Sequence, residues 1–289
     1  MKRLIVTADD FGASLPVNEA IEQAHRQGIL TTASLMVGAA ATLDAVERSQ
    51  RLPSLKVGLH VVLVCGRPLL PPHQVPDLVD AQGNFSTRLA RAGVNFFFRS
   101  KARSQLEAEI RAQYEAFRAT GLVLDHVNAH NHMQLHPTVL GLILKIGQGY
   151  GARAVRLPYE PFIYSWRAAR NALTLRLVNS LLLKPWVTLM RWRLNKAGVA
   201  CNEYLFGMSD SGQMSEERVL GLLAHLPHGV SEMYFHPALK PWEGMDPGMA
   251  HYDHQAEFRA LVSPAVARAV RQHQIEKISF GDLPAKPLS

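Results

Sequence analysis

Short apolar runs along the chain repeatedly break off at polar or ionisable residues, and this rhythm is the first thing the sequence shows. The runs are "RLIVTADD" (3–10), "ASLMV" (33–37), "KVGLH" (56–60), "LDHVNAH" (124–130), "AVRLP" (154–158), "SEMYFHP" (231–237) and "KISFGD" (277–282). Their length and β-branched content predict strands. Between them the spacing changes to that of helices. Val17, Ala20, Ile21 and Ala24 recur at i, i+3, i+4 and i+7, and Gly28 supplies a stop. Residues 104–119, 138–148, 215–226 and 255–273 also read as helices. Strands alternating with helices imply parallel pairing through crossover connections. About seven such strands predict an α/β fold: a single closed or nearly closed (β/α) TIM-like barrel over residues 1–289, with an open doubly wound sheet as the alternative. Residues 161–200 are read as a helical insertion within it.

The polar residues that end the runs are Asp9 and Asp10, His60, His130 and His132, Arg156, and His236. In β/α barrels the C-terminal ends of the strands converge on one mouth, where active sites are built. One constellation is therefore expected. Each member also has a plainer reading. The Asp pair could cap the next helix, His60 could be a hydrogen-bonded core histidine, and His236 could sit in a turn before Pro237. Recurrence at successive strand ends favours chemistry. Adjacent carboxylates repel and are costly to bury, so a cation is expected beside them. Neighbouring side chains diverge at a strand end, so Asp9 and Asp10 need not share one task. The tract "HVNAHNHMQLHP" (126–137) carries four histidines, and alternation puts His130 and His132 on one side of an extended segment. Two histidines and a carboxylate leave open positions on Zn²⁺, Mn²⁺ or Co²⁺, with Mg²⁺ also allowed. Imidazole titrates near neutrality, which suits His236 as a general acid. Arg156 either pairs with Asp9 or binds substrate.

Composition narrows the setting. The chain is 47% hydrophobic and 19% charged, which is globular. Its two cysteines, Cys65 and Cys201, form neither a disulfide framework nor a thiolate zinc site. The N-terminal apolar run is short for a signal peptide, and no stretch of about 20 apolar residues spans a bilayer. The expected location is cytoplasmic. Net charge is +7. Between Glu160 and Glu203 there is no acid, whereas Arg167, Arg170, Arg176, Lys184, Arg191, Arg193 and Lys196 fall in that interval beside Trp166, Trp186 and Trp192. Basic residues beside Trp and Leu mark helices that lie in a membrane interface. The plain alternative is a helix pair covering the barrel. No nucleic-acid-binding motif accompanies the charge, so nucleic acid is not expected.

"TADDFG", "GLHVVL" (58–63), "HVNAHNH" (126–132), "RLPYE" (156–160) and "FHPA" (235–238) together resemble the YdjC-like carbohydrate deacetylase family. The resemblance implies a deformed β/α barrel and metal-dependent removal of an N-acetyl group from an amino sugar. It implies one divalent ion (Zn, Mg, Mn or Co) on Asp10, His60 and His130, Asp9 as base and His236 as acid. His132 is then a substrate contact or a further ligand. Asn128 and Gln134 depart from the Asp and His of many members, which bears on substrate contacts and on tuning of the ligands. The histidine tract together with the 161–200 insertion resembles the hopanoid-biosynthesis-associated branch. That branch implies a lipid-linked substrate such as an N-acetylglucosaminyl hopanoid, handled by a protein peripheral to an anionic membrane. Rival readings are a deacetylase of soluble chitooligosaccharides, a phosphoesterase on the same barrel, and a membrane-associated glycolipid-binding protein with a degenerate site. The sequence leaves a homodimer open.

Overall fold

The computed structural model describes residues 1–284. Seven strands form one parallel sheet: β1 (Lys2–Phe11), β2 (Thr32–Leu35), β3 (Lys56–Val61), β4 (Leu124–Ala129), β5 (Tyr204–Phe206), β6 (Gly229–Phe235) and β7 (Ile275–Ile278). Their order is β4-β3-β2-β1-β6-β5. β7 pairs with the first half of β1, from Lys2 to Ile5, while β2 pairs with its second half, from Thr7 onward. Around the sheet lie α1 (Leu15–Gln27), α2 (Thr42–Gln50), α3 (Leu89–Phe98), α4 (Ser100–Ala119), α5 (Pro137–Gly147), α6 (Phe162–Ala169), α7 (Leu173–Lys196), α8 (Glu216–Ala224), α9 (His254–Val262) and α10 (Pro264–Gln272).

The sheet curls into a deformed barrel. Its edges, β4 and β5, are joined by a seam instead of full strands. Val127 N donates to Ala154 O (3.0 Å), Val155 N to Ala200 O (2.9 Å) and Leu205 N to Tyr159 O (2.8 Å). The run expected as a strand at 154–158 therefore makes only isolated bridges, Val127 with Val155 and Ala154 with Ala200. Pro158 has no N–H to extend them. The helix expected over 255–273 is two helices. Ser263 leaves helical geometry and accepts from Ala265 N and Val266 N, and Pro264 opens α10.

Alternation along the strands fills the barrel in layers. At the bottom, Ile5, Ala154, Ala200, Val230, Ile278 and Phe280 form an apolar plug separate from the main core. Two residues further along each strand the lining becomes polar. Thr7 bonds Thr32 (2.8 Å) and Glu232 (2.7 Å), and Arg156 bonds Glu232 across the barrel. Two residues further still lie Asp9, His60, His130 and Tyr234. The helices bury their apolar stripes on the outer face of the sheet.

Between Pro161 and Ala200 the chain leaves the seam as α6 and α7. α7 is anchored by Arg176, which is buried and grips Asp210 with both terminal nitrogens (2.9 and 2.7 Å). Arg191 donates to Glu203 O (3.2 Å) and Arg193 to Pro137 O (2.6 Å). Three of the seven cations in this stretch thus fasten α7 to the barrel. The outward face of α7 is strongly apolar: Leu175 is 61% exposed, Leu182 67%, Trp186 48% and Trp192 58%. Among the described residues no helix is long and apolar enough to cross a membrane.

Candidate active site

Asp9 and Asp10 part company because β1 is irregular at its end. The register with β2 shifts between Ala8 and Phe11, and Asp10 adopts φ 61°, a left-handed conformation. Such a bulge re-aims side chains beside sites. Asp9 turns inward to Arg156, whose NH1 and NH2 lie 2.5 and 3.0 Å from its two oxygens. Asp10 turns toward His60 and His130.

Its Oδ1 lies 3.4 Å from His60 Nε2 and 3.2 Å from His130 Nδ1, and those two nitrogens are 3.3 Å apart. The three atoms form a nearly equilateral triangle, all three residues are buried, and Asp10 Oδ1 has no hydrogen-bond partner. On its outer side His60 Nδ1 faces Asn128 Oδ1 at 2.7 Å. As a donor to that amide oxygen, Nδ1 carries the proton and leaves the Nε2 lone pair facing Asp10. Asp246 lies 3.8 Å from His130 Nε2, the outer nitrogen of the second ring. Carboxylate, amide or carbonyl acceptors on the far nitrogen are the usual support of metal-binding histidines. An orphaned buried carboxylate oxygen with two imidazole nitrogens turned toward it fits a divalent cation.

Charge in the ion-free protein agrees. Burial alone would lower the His130 pKa, but Asp10 and Asp246 overcome it and push it up to about 10. The same negative charge that raises His130 is what would attract a cation to this spot, and metal binding is expected to release a proton. Burial opposes the charge on Asp9 too, yet the Arg156 guanidinium overrides it and holds that carboxyl far below the usual range. Burial lowers His236 to about 4 against the pull of Asp10 and Asp9, so its ring is neutral at rest. His236 Nδ1 is buried without a partner. Its backbone is fixed, with N donating to Glu257 (2.5 Å) and O accepting from His254 Nδ1 (2.6 Å).

The four histidines of the 126–137 tract divide among separate tasks. His126 points down into the barrel, bonded to Asp125 (2.9 Å) and Ser34 (3.1 Å) and stacked on Phe280. His130 joins the trio. His132 lies outside it: the chain kinks through left-handed Asn131 and His132, and His132 Nε2 meets Tyr234 OH at 3.2 Å. His136 caps α5 and packs against Phe96 and Phe97. Gln134 clasps the kink by accepting from Ala129 N.

Arg156 needs correction as a substrate contact. It has no exposed surface, and it spends its donors on Asp9 and Glu232. Of the two expectations for it, the structure has the pairing. Glu232 is absent from the residues expected at the site, and Asn128 is expected there only as a departure from the family pattern that tunes the ligands. Asn128 donates to Asp9 (3.1 Å) and Ser34 (2.9 Å) while accepting from His60, so it ties base and ligand together. Period-2 alternation would have found both, since Glu232, Tyr234 and His236 share one side, as do His126, Asn128 and His130.

A cleft of about 730 Å³ opens beside Asp10 and His130, walled largely by apolar residues including Met36, Val37, Leu69, Phe85 and Trp242.

Residues 3–272 match the profile of a family described as YdjC-like protein. The chain belongs to the YdjC-like family. Its YdjC-like relatives include a protein of Brevibacillus brevis named carbohydrate deacetylase, 30% identical over 97% of this chain and 99% of that one. A mouse protein of the same name is 30% identical over 98% and 96%. The crystal structure of a candidate cellobiose-phosphate cleavage protein from Enterococcus faecalis V583 superposes with a TM-score of 0.75 at 24% identity, covering 96% of this chain and 97% of that one. That likeness shows that the YdjC-like chain shares its fold.

Proposed function

We propose that the protein is a metal-dependent N-deacetylase of an amino sugar carried on a lipid. The observation that carries the chemistry is the triangle of Asp10 Oδ1, His60 Nε2 and His130 Nδ1 beside a second, separately clamped carboxylate, Asp9. The names of the relatives support deacetylation of a carbohydrate. Asp10, His60 and His130 would hold the ion. The three separations of 3.2–3.4 Å put the ligand atoms close enough together to hold one divalent ion between them.

A divalent ion there supplies Lewis acidity, polarising an acetyl carbonyl and making water nucleophilic at neutral pH. Asp9 takes the proton from the attacking water, and Arg156 and Asn128 keep its lone pairs in register. The proton that Asp9 takes from the water passes to the ring of His236, neutral at rest, and from there to the sugar nitrogen as the C–N bond breaks, leaving acetate and the free amine. His132 and Tyr234, which are bonded to each other, are assigned to the sugar. Asp9 and Asp10 stabilise the charged His236 ring and oppose the desolvation that keeps it neutral.

The lipid-linked substrate and a peripheral position on an anionic membrane are supported by α7. Its exposed Leu and Trp residues are accompanied by exposed Arg167, Arg170, Lys184 and Lys196. The apolar walls of the cleft suit an aglycone beside the sugar. Acetate release is the test, with metal-free protein and then with Zn²⁺, Mn²⁺, Co²⁺ or Mg²⁺ added. An N-acetylglucosaminyl lipid is offered beside chitobiose, and Asp9→Asn serves as control. Metal-dependent release from the lipid supports the reading. Release from chitobiose alone removes the lipid from it, and no release from either removes the substrate class.

A further inference from the structure

α3 carries a second basic and apolar surface that the region around α7 does not include. From Asp80 to Glu107 the chain has no acid between the two ends, while Arg88, Arg91, Arg99, Lys101 and Arg103 fall in that interval. All five are exposed. Among them stand Val94, Phe97 and Phe98, which are 57%, 50% and 74% exposed. An exposed pair of phenylalanines is expensive in water, and contiguous apolar patches of this kind mark interaction surfaces.

α3 and α7 meet through α5. The His136 ring at the start of α5 lies edge-on to Phe96 and Phe97, with centroids 6.1 and 6.2 Å away. One residue on, Pro137 O accepts from Arg193 of α7. Between the start of α4, α5 and α7 runs a groove of about 550 Å³ whose walls include Arg103, Arg193 and Lys145, the last paired with Glu107 at 2.8 Å. Exposed Trp192 adjoins Arg193 in α7, and Phe98 lies two residues before the first groove residue, Ser100.

We propose that α3 is a second membrane contact, acting with α7 to hold an anionic phospholipid bilayer against this side of the protein. The inference rests on the membrane reading of α7. Charge decides the occupant. Phe97 and Phe98 enter the interface, and the surrounding cations meet lipid phosphates. A second copy paired through the same face would oppose five cations to the same five.

The test is co-sedimentation at low salt with vesicles of phosphatidylcholine, with and without phosphatidylglycerol. It uses the full chain, Phe97→Ser/Phe98→Ser, Trp186→Ser/Trp192→Ser and the combined variant. The melting temperature and the far-ultraviolet circular dichroism spectrum report folding. The double Phe variant is expected to need about tenfold more anionic lipid for half-binding, with the combined variant weaker than either. Should the Phe variant bind like the parent while the Trp variant fails, the role of α3 is overturned and the reading of α7 stands. A parent that ignores anionic vesicles overturns both. A lipid-free dimer that dissociates in the Phe variant also overturns the proposal, because a second copy then covers α3.

Discussion

Arg156→Met is the most searching single change. In the native protein one guanidinium neutralises two fully buried carboxylates, with N–O separations of 2.5 and 3.0 Å to Asp9 and 2.7 and 3.0 Å to Glu232. Methionine fills much of the same volume without charge. Removing one partner of a buried pair typically costs about 3–5 kcal/mol, because the charge left behind stays uncompensated. Two carboxylates share this partner, so a loss near the top of that range, about 5 kcal/mol, is expected at about pH 8. The pH dependence should reverse. Asp9 is held far below its ordinary pKa in the native fold. Its contribution is therefore present above about pH 4 and lost as pH falls further. Without Arg156 burial dominates, the folded variant binds protons, and its stability is greatest in acid and falls as pH rises. Urea unfolding in EDTA at about pH 5.5 and about pH 8 measures both, with a loss at the lower pH of about half that at the higher. A loss under about 1 kcal/mol at the higher pH, or one that does not shrink on acidification, refutes the reasoning. Arg156→Lys keeps charge without the fork and should fall between.

Gly58→Ala should destabilise by about 3 kcal/mol, since its Cβ would lie 2.5 Å from the His126 ring, itself stacked on Phe280; an unchanged urea midpoint would show that the ring can move aside. Saturating Zn²⁺ should raise stability by about 4 kcal/mol at a thousandfold excess over Kd, and His130→Ala should abolish the rise in melting temperature. An equal rise in parent and variant would place the ion elsewhere. Burial raises Glu257 to about 7 although backbone N–H groups of His236, Met214 and Gly212 favour its charged form. Its stabilisation is therefore full below about pH 4.5 and lost as pH climbs through about 7, worth about 3 kcal/mol. Glu257→Gln should flatten that part of the stability profile, and an unaltered slope would contradict it.

What the sequence revealed and what it hid follow physical lines. Asp10, His60 and His130 were legible because each ends a run of β type, and strand ends in a parallel barrel converge by construction. His126 shares the tract with His130 but lies four residues before it, bonded to Ser34 and stacked on Phe280 in the space that Gly58 leaves. Arg156 read as a rim residue because a cation after an apolar run is normally solvated. The two acids that make its burial tolerable come from β1 and β6, remote in sequence. β5 was missed since three residues carry no period, and the 154–158 run mimicked a strand that Pro158 prevents. The 255–273 pattern stays helical across Ser263 and Pro264 because buried apolar positions keep helical spacing on both sides of the break, Ala260 and Leu261 before it and Val266, Ala269 and Val270 after it.

The seam between β4 and β5 changes what the fold can tolerate. The excursion from Pro161 to Ala200 leaves and re-enters through it, and Asp10, His60, His130 and His236 all lie outside that excursion. Arg176, Val187, Met190 and Leu194 seat α7, whereas Leu175, Leu182, Trp186 and Trp192 face outward; descendants could therefore resurface the excursion while its seat and the residues at the strand ends stay as they are.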